Sequence, residues 1–236
     1  MTRYSTEQLA SFPWIVSTDT LRSQDLLCSY WQALEQLIQH RPDATFGSCS
    51  IKGIELLAAL NTSPTIARAL DGQFSQPCAE ITEAEQQRIN VALEDLTDAL
   101  QELAPTGFYF GASEGDGACF GFWLNESWID CLEHCGFAAD GDPCALAPII
   151  SELESSGVDP DTYQDCYQGE AEGYSEEQAG ADYAQQLAEE LGMTDGTQAW
   201  PLGCIDWQAA WRELEIGDAY WLQRINGAQW AVFRPC

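Results

Sequence analysis

The chain has 236 residues, 45% hydrophobic and 11% aromatic, with 38 acidic against nine basic residues and a net charge of −29. Disordered acidic tails are poor in aromatic residues, so this composition predicts a folded protein with an acidic surface. Such a surface repels nucleic acid and anionic membranes, which argues against direct binding to either. No apolar run is long enough to span a bilayer and no signal peptide is recognisable, so a cytoplasmic location is expected.

The basic residues are unevenly distributed along the chain. Between Arg88 and Arg212 there is no lysine or arginine in 123 positions, although the same span has 25 Asp and Glu. Duplex DNA carries about one charge per 1.7 Å of axis, so the net charge of −29 corresponds to roughly 50 Å, or about 14–15 base pairs. A single acidic helix is most simply a solvated face, and adaptation to high salt also produces an acidic coat. The array as a whole favours mimicry of nucleic acid charge.

Residues 1–105 are predicted to form a mostly helical N-terminal domain. Apolar spacing and helix-start residues predict helices over 23–39, 50–60, from Pro64, and 82–103. The clearest start is the capping box at Thr82 and Glu85, in which hydroxyl and carboxylate satisfy each other's backbone donors. Acidic residues three and four positions apart then mark one face of this last helix at Glu94, Asp98 and Glu102.

Residues 106–236 are predicted to form an acidic α+β region with short antiparallel strands. Two strands are expected at 108–110 and 120–123 around a glycine-rich turn, and a C-terminal hairpin at 219–224 and 229–233 around Asn226-Gly227. Helices are expected at 126–135, 144–156 and 175–191 and after Asp206. The helix at 175–191 has a second capping box, at Ser175 and Gln178. Two of these helices also place acids at helical spacing, in the sets Glu126/Asp130/Glu133 and Asp182/Glu189/Glu190.

The ten cysteines do not predict a metal site. Cys131, His134 and Cys135 are soft ligands close together, but their spacing matches no zinc pattern. Without an export signal, most thiols are expected to be reduced and packed inside the protein. No metal and no cofactor are therefore expected.

Calcium binding and catalysis are weakly supported. The loop 159–170 resembles an EF-hand, but Tyr163 and Gln164 replace a ligand and the required glycine. His40 and His134 are the available general bases near neutral pH, and His40 is more simply a helix C-terminal cap. Because a glycosidase needs only two carboxylates, a carboxylate-based hydrolase stays an alternative.

An ordered set of motifs occupies the C-terminal stretch: YQGE at 167–170, SEE at 175–177, YAQQLAEELG at 183–192, IDWQAAWREL at 205–214 and GDAYW at 217–221, followed by Asn226-Gly227 and Val232-Phe233. With these motifs, residues 163–234 resemble the ArdA-type antirestriction proteins of mobile elements. The resemblance is fainter back to residue 107. The first 104 residues depart from the family, because helices are predicted where it has a strand-rich domain.

The resemblance implies an acidic, elongated α+β protein, often dimeric, that imitates bent duplex DNA and blocks type I restriction–modification enzymes. We therefore expect a non-enzymatic DNA mimic whose partner is a basic DNA-binding protein, and a homodimer is a further expectation. Another nucleic-acid-binding target, such as a CRISPR effector or a nucleoid protein, is the first alternative. The carboxylates expected to stand in for phosphates are Glu152, Glu154, Asp159, Asp161, Asp165, Glu170, Glu172, Glu176, Glu177, Asp182, Glu189 and Glu190.

Overall fold

The computed structural model describes residues 4–39, 48–74, 80–194, 204–217 and 219–235. His40, interpreted above as a helix cap, lies outside these ranges. Within them the α+β fold is confirmed, with two three-stranded antiparallel sheets. The elements are, in chain order, α1 Thr6–Ala10, β1 Ile15–Ser17, α2 Ser23–Gln39, α3 Ser48–Asn61, α4 Pro64–Leu70, α5 Glu83–Glu102, β2 Phe108–Ala112, β3 Phe120–Leu124, α6 Glu126–His134, α7 Pro143–Ser155, α8 Tyr163–Cys166, β4 Tyr167–Glu172, α9 Glu176–Glu190, α10 Trp207–Gly217, β5 Trp221–Arg224 and β6 Gln229–Phe233.

The chain divides into two compact units. The N-terminal unit comprises Met1–Asn125 with Pro143–Pro148, and the C-terminal unit comprises Glu126–Asp142 with Ile149–Cys236. The sequence placed a boundary at residue 105, which lies inside the N-terminal unit. The physical reason is that β2 and β3 form a sheet with β1 of the N-terminal segment.

Helices α2 and α5 form the centre of the N-terminal unit. The apolar stripes predicted for them are confirmed: Leu27 and Leu34 of α2 and Ile89, Leu96 and Leu100 of α5 are fully buried in one hydrophobic core. Since burial of a single large aliphatic side chain stabilises a fold by about 1.5–3 kcal/mol, this shared stripe fixes the two helices against each other.

Strand β1 was not predicted, because the first 105 residues were predicted to be mostly helical. This strand pairs antiparallel with β3, in the order β1-β3-β2. A Cβ at Gly121 would lie 2.3 Å from the carbonyl oxygen of Trp14, so only glycine allows this close approach. The backbone N–H of Phe122 donates to the same oxygen at 2.8 Å. Three residues are too few to show the alternation that identifies a strand.

The two predicted capping boxes differ in outcome. At α5 the box is complete: Thr82 Oγ1 accepts from Glu85 N–H at 3.3 Å, and Glu85 Oε2 accepts from Thr82 N–H at 3.0 Å. At α9 it is half formed, because Ser175 Oγ accepts from Gln178 N–H at 3.3 Å while Gln178 Oε1 accepts from Tyr174 N–H at 3.1 Å. The glutamine reaches one residue further back than the sequence predicts.

The complete box makes stability depend on pH. Hydrogen bonds from the Thr82 backbone and side chain, with Arg68 nearby, lower the pKa of Glu85. A carboxyl with a lowered folded pKa stabilises the fold above its unfolded pKa, and this contribution is lost as pH falls through the folded pKa. We expect Glu85→Gln to be less stable than the parent at neutral pH and equally stable in acid, as measured by urea unfolding at both.

The matched control for this variant is Glu83→Gln, because Glu83 is an exposed carboxylate in the same first helical turn. It should change the pH dependence of unfolding less than Glu85→Gln does. An unaltered pH dependence in Glu85→Gln would show that the capping carboxylate contributes nothing.

Helices α9 and α10 cover one face of the second sheet, whose strand order is β4-β6-β5. The core on this face is aromatic, and Tyr183, Trp211 and Tyr220 form a cluster with ring centroids 5.8–6.5 Å apart. Trp230 and Val232 of β6 pack against it. The hairpin of β5 and β6 was predicted from Asn226-Gly227, and strand β4 was not.

The two helices of this layer approach each other at Gly180. A Cβ at this position would lie 2.4 Å from Cγ of Trp211, and the ring is buried. Real Cβ atoms do not come that close, so any side chain would push α10 away from α9. Gly180 is therefore required by packing rather than by backbone conformation.

We expect Gly180→Ala to destabilise the C-terminal unit by about 1–3 kcal/mol, the usual range for overpacking a core. Gly217→Ala is the matched control, because it also lies in a helix and a Cβ there meets nothing within 4 Å. Thermal unfolding compares the two variants. Equal stability of Gly180→Ala and the parent would mean that the helices do not pack as described.

Candidate protein-binding surface

Negative charge is concentrated in the C-terminal unit. This unit contains 22 Asp and Glu against three arginines, whereas the N-terminal unit contains 16 against six basic residues. All twelve carboxylates predicted to imitate phosphates belong to the C-terminal unit. One structural unit therefore contains the whole predicted set.

Most of these twelve side chains are open to solvent. Nine are exposed, and Glu154, Asp159 and Asp182 are half-buried. The elements distribute them as follows: Glu152 and Glu154 on α7; Asp159 and Asp161 before α8; Asp165 on α8; Glu170 and Glu172 on β4; and Glu176, Glu177, Asp182, Glu189 and Glu190 on α9.

None of the twelve forms a salt bridge with a basic side chain that the structure describes. The described salt bridges all lie in the N-terminal unit and are Arg22–Asp25, Lys52–Glu102 and Arg68–Glu85. In the C-terminal unit, Arg224 donates to the carbonyl oxygens of Asn226 at 3.1 Å and Gly227 at 2.6 Å. This arginine stabilises the hairpin and forms no salt bridge with a described carboxylate.

Two of the twelve also have structural roles that the sequence did not reveal. Asp159 Oδ1 accepts from the N–H groups of Asp161 at 2.9 Å and Thr162 at 3.0 Å, which closes the turn before α8. Asp182 Oδ2 accepts from the Glu172 N–H at 2.9 Å and thereby ties α9 to β4. Replacing either residue would change the fold locally as well as the charge.

A cleft of about 240 Å³ opens between α9 and α10. It brings Glu176 and Glu177, both predicted, together with Glu215 and Arg212, which sequence reasoning missed. Positions 208, 211, 212 and 215 follow helical spacing, so the helix predicted after Asp206 already implied that these four side chains share one face. Three carboxylates and one guanidinium give the cleft a net negative charge.

Around His134 the structure shows aromatic packing. Its ring centroid lies 5.1 Å from that of Tyr163 and 5.5 Å from that of Tyr167. Burial, followed by the charge of Glu170, raises the pKa of Tyr167 to about 12. Across the described ranges, no group of three or more His, Cys, Asp or Glu is arranged to hold a metal ion.

Most described cysteines are free thiols, as expected, but only two of the six free thiols are buried inside the protein. Cys131 and Cys135 are fully buried one helical turn apart, and their mutual hydrogen bond together with burial raises the pKa of Cys135. Cys166 is the exception, since it is disulfide-bonded. The free thiols are Cys28, Cys119, Cys131, Cys135, Cys144 and Cys204.

Burial predicts which of these thiols react. We expect iodoacetamide to modify the exposed Cys204 in the folded protein and to leave Cys131 and Cys135 intact until denaturant is added. Mass spectrometry of the labelled peptides measures each site separately. Labelling of Cys135 as fast as Cys204 under native conditions would contradict the buried placement.

No protein-family model, curated protein or solved structure matches the chain. Within the described residues, no helix combines the length and apolar character needed to cross a bilayer. A function for this chain therefore rests on its own residues and their placement.

Proposed function

We propose that this protein is a non-enzymatic DNA mimic that occupies the DNA-binding groove of a basic enzyme, with a type I restriction–modification complex as the expected target. The observation that supports it is the C-terminal unit's set of nine exposed carboxylates without a salt bridge to a described basic residue. Charges that the protein does not neutralise itself are available to a partner's lysines and arginines.

The acidic helices have a spacing that suits this role. All three helices with predicted acidic sets form, as α5, α6 and α9. The set on α9 is spaced by seven residues and one, whereas α5 and α6 have acids three or four residues apart. On a helix such neighbours have Cβ atoms about 5–6 Å apart, comparable to the distance between successive phosphates on a DNA strand. On α6, the exposed Glu126, Asp130 and Glu133 follow this pattern over two turns.

The mimic would compete with DNA by electrostatics. Its carboxylates pair with the cations that normally bind phosphates, so association is fast at low salt and weakens as salt increases. The same charge keeps the mimic away from nucleic acid itself. Such a protein acts where its target acts, in the cytoplasm.

The type of target follows from the ArdA-type resemblance. Residues 163–234 contain α8, β4, α9, α10, β5 and β6, and these elements hold eight of the twelve carboxylates. Surface charge alone suits any basic nucleic-acid-binding protein, so a CRISPR effector or nucleoid protein is the alternative target. The experiment below includes both.

The test is competition with duplex DNA for a purified type I restriction–modification complex over a salt series. Exposed pairs contribute about 0.2–1 kcal/mol each, so six neutralised carboxylates should weaken inhibition roughly 100-fold, while single changes stay nearly silent. Asp159 and Asp182 are left unchanged because they hold the fold. The variant combines Asp161→Asn with Glu172→Gln, Glu176→Gln, Glu177→Gln, Glu189→Gln and Glu190→Gln.

The matched control neutralises six exposed carboxylates of the N-terminal unit, which are Glu7, Glu35, Glu55, Glu80, Glu83 and Glu114. It should inhibit better than the C-terminal variant. Equal loss in both would show that total charge, rather than the C-terminal surface, determines binding. Loss of inhibition from one substitution would indicate a localised site, and binding only to another nucleic-acid-binding protein would select the alternative target.

A further inference from the structure

A groove of about 540 Å³ crosses the surface of the N-terminal unit between α3 and α5. Leu56 and Leu60 of α3 form one wall, Ile66 of α4 lies at its base, and Val91 of α5 forms the other wall. Val91 is 50% exposed, and it shares one groove with Leu56 and Leu60, so these side chains form a contiguous apolar surface rather than isolated exposed residues. The groove is thus an apolar surface that the described part of the unit leaves open.

Two opposite charges lie on the α5 wall of this groove, Arg88 before Val91 and Asp95 after it. Arg88 donates to Thr65 Oγ1 at 3.3 Å but forms no salt bridge with a described carboxylate. The other described basic residues of this unit are each paired with an acid. An arginine without such a partner stands out in a chain with 38 acidic residues.

The order of these residues is self-complementary. Arg88 and Asp95 are seven residues apart, about 10.5 Å along the helix and on the same face, with Val91 near the midpoint. A second α5 running antiparallel across the groove would place each Arg88 beside the other copy's Asp95. The two Val91 side chains would meet near the symmetry axis, as an isologous interface requires.

We infer that this groove is the interface of a two-fold homodimer, with α5 of a second copy as its occupant. An acidic helix would pair with Arg88 and be repelled by Asp95, and a basic helix would do the reverse. A second copy satisfies both charges and covers the exposed apolar wall. The inference is independent of the proposed function, because the twelve candidate carboxylates lie in the C-terminal unit.

Repulsion between two acidic copies limits this association. At an ionic strength of about 0.01 M the screening length is about 30 Å, so the net charges of the copies oppose each other; at about 0.15 M it is about 8 Å, and contact pairs dominate. Dimerisation should therefore strengthen as salt rises over this range. Binding by phosphate mimicry should weaken over the same range.

A charge-swap series in the full chain tests the interface by sedimentation equilibrium at about 0.15 M salt. Arg88→Glu and Asp95→Arg each replace two attractive pairs with two repulsive ones, so each should raise the dimer dissociation constant about tenfold or more. The double variant restores both pairs in the opposite sense and should dimerise like the parent. Val91→Asp should also separate the copies, because it places two carboxylates at the axis.

Glu94→Arg is the matched control, since Glu94 is exposed on α5 next to Asp95 and does not line the groove. It should leave the dimer intact. Thermal unfolding of each variant identifies any that fail to fold, and Val91→Asp then serves in place of Arg88→Glu. A parent that stays monomeric up to about 1 mM, or a dimer that survives both single reversals, overturns the inference. So does a folded double variant that fails to dimerise.

Discussion

Repulsion between carboxylates is the constraint under which the C-terminal unit folds. With 22 acidic and three basic residues, it cannot rely on ion pairs, and none of its twelve candidate carboxylates forms a salt bridge with a described basic residue. Each acidic pair at helical spacing costs a few tenths of a kcal/mol. One fully buried large apolar side chain contributes about 1.5–3 kcal/mol. The aromatic cluster around Trp211 is therefore sufficient to offset many such repulsions, and its dependence on Gly180 makes that contact central to the unit.

Amide side chains orient the carboxylates of α9 where lysines would normally do so. Gln186 Nε2 donates to Asp182 Oδ2 at 2.6 Å, and Gln185 Nε2 donates to Glu189 Oε1 at 3.0 Å. A glutamine restricts the rotamers of its acidic neighbour, as a lysine would, but adds no positive charge. The helix gains local order while its negative charge stays available to a partner. This arrangement reconciles a rigid acidic surface with the scarcity of basic residues.

The features predicted most clearly from the sequence were helices and caps, which depend on the pattern of neighbouring residues. Helix α2 and the Thr82 box of α5 followed from apolar periodicity and capping, which are properties of a few neighbouring residues. Strand β4 did not follow, because its sequence YQGEAE is rich in residues that strands avoid and its pairing with β6 is non-local. The turn role of Asp159 and the α9–β4 tie of Asp182 were also missed, since both depend on tertiary geometry. The acidic surface was predicted because net charge requires no fold at all.

The placement of the basic residues helps to separate two explanations for the acidity. Adaptation to high salt acts on every exposed position, so it would deplete cations evenly through the chain. Here the N-terminal unit keeps Lys52 and Arg68 in salt bridges that connect α5 to α3 and α4, whereas the more acidic C-terminal unit uses Arg224 on backbone carbonyls. Salt bridges thus connect helices in the N-terminal unit, whereas in the C-terminal unit none of the twelve candidate carboxylates forms a salt bridge with a described basic residue. A difference between two units of one chain, in one solvent, favours a binding partner as the reason for the C-terminal charge.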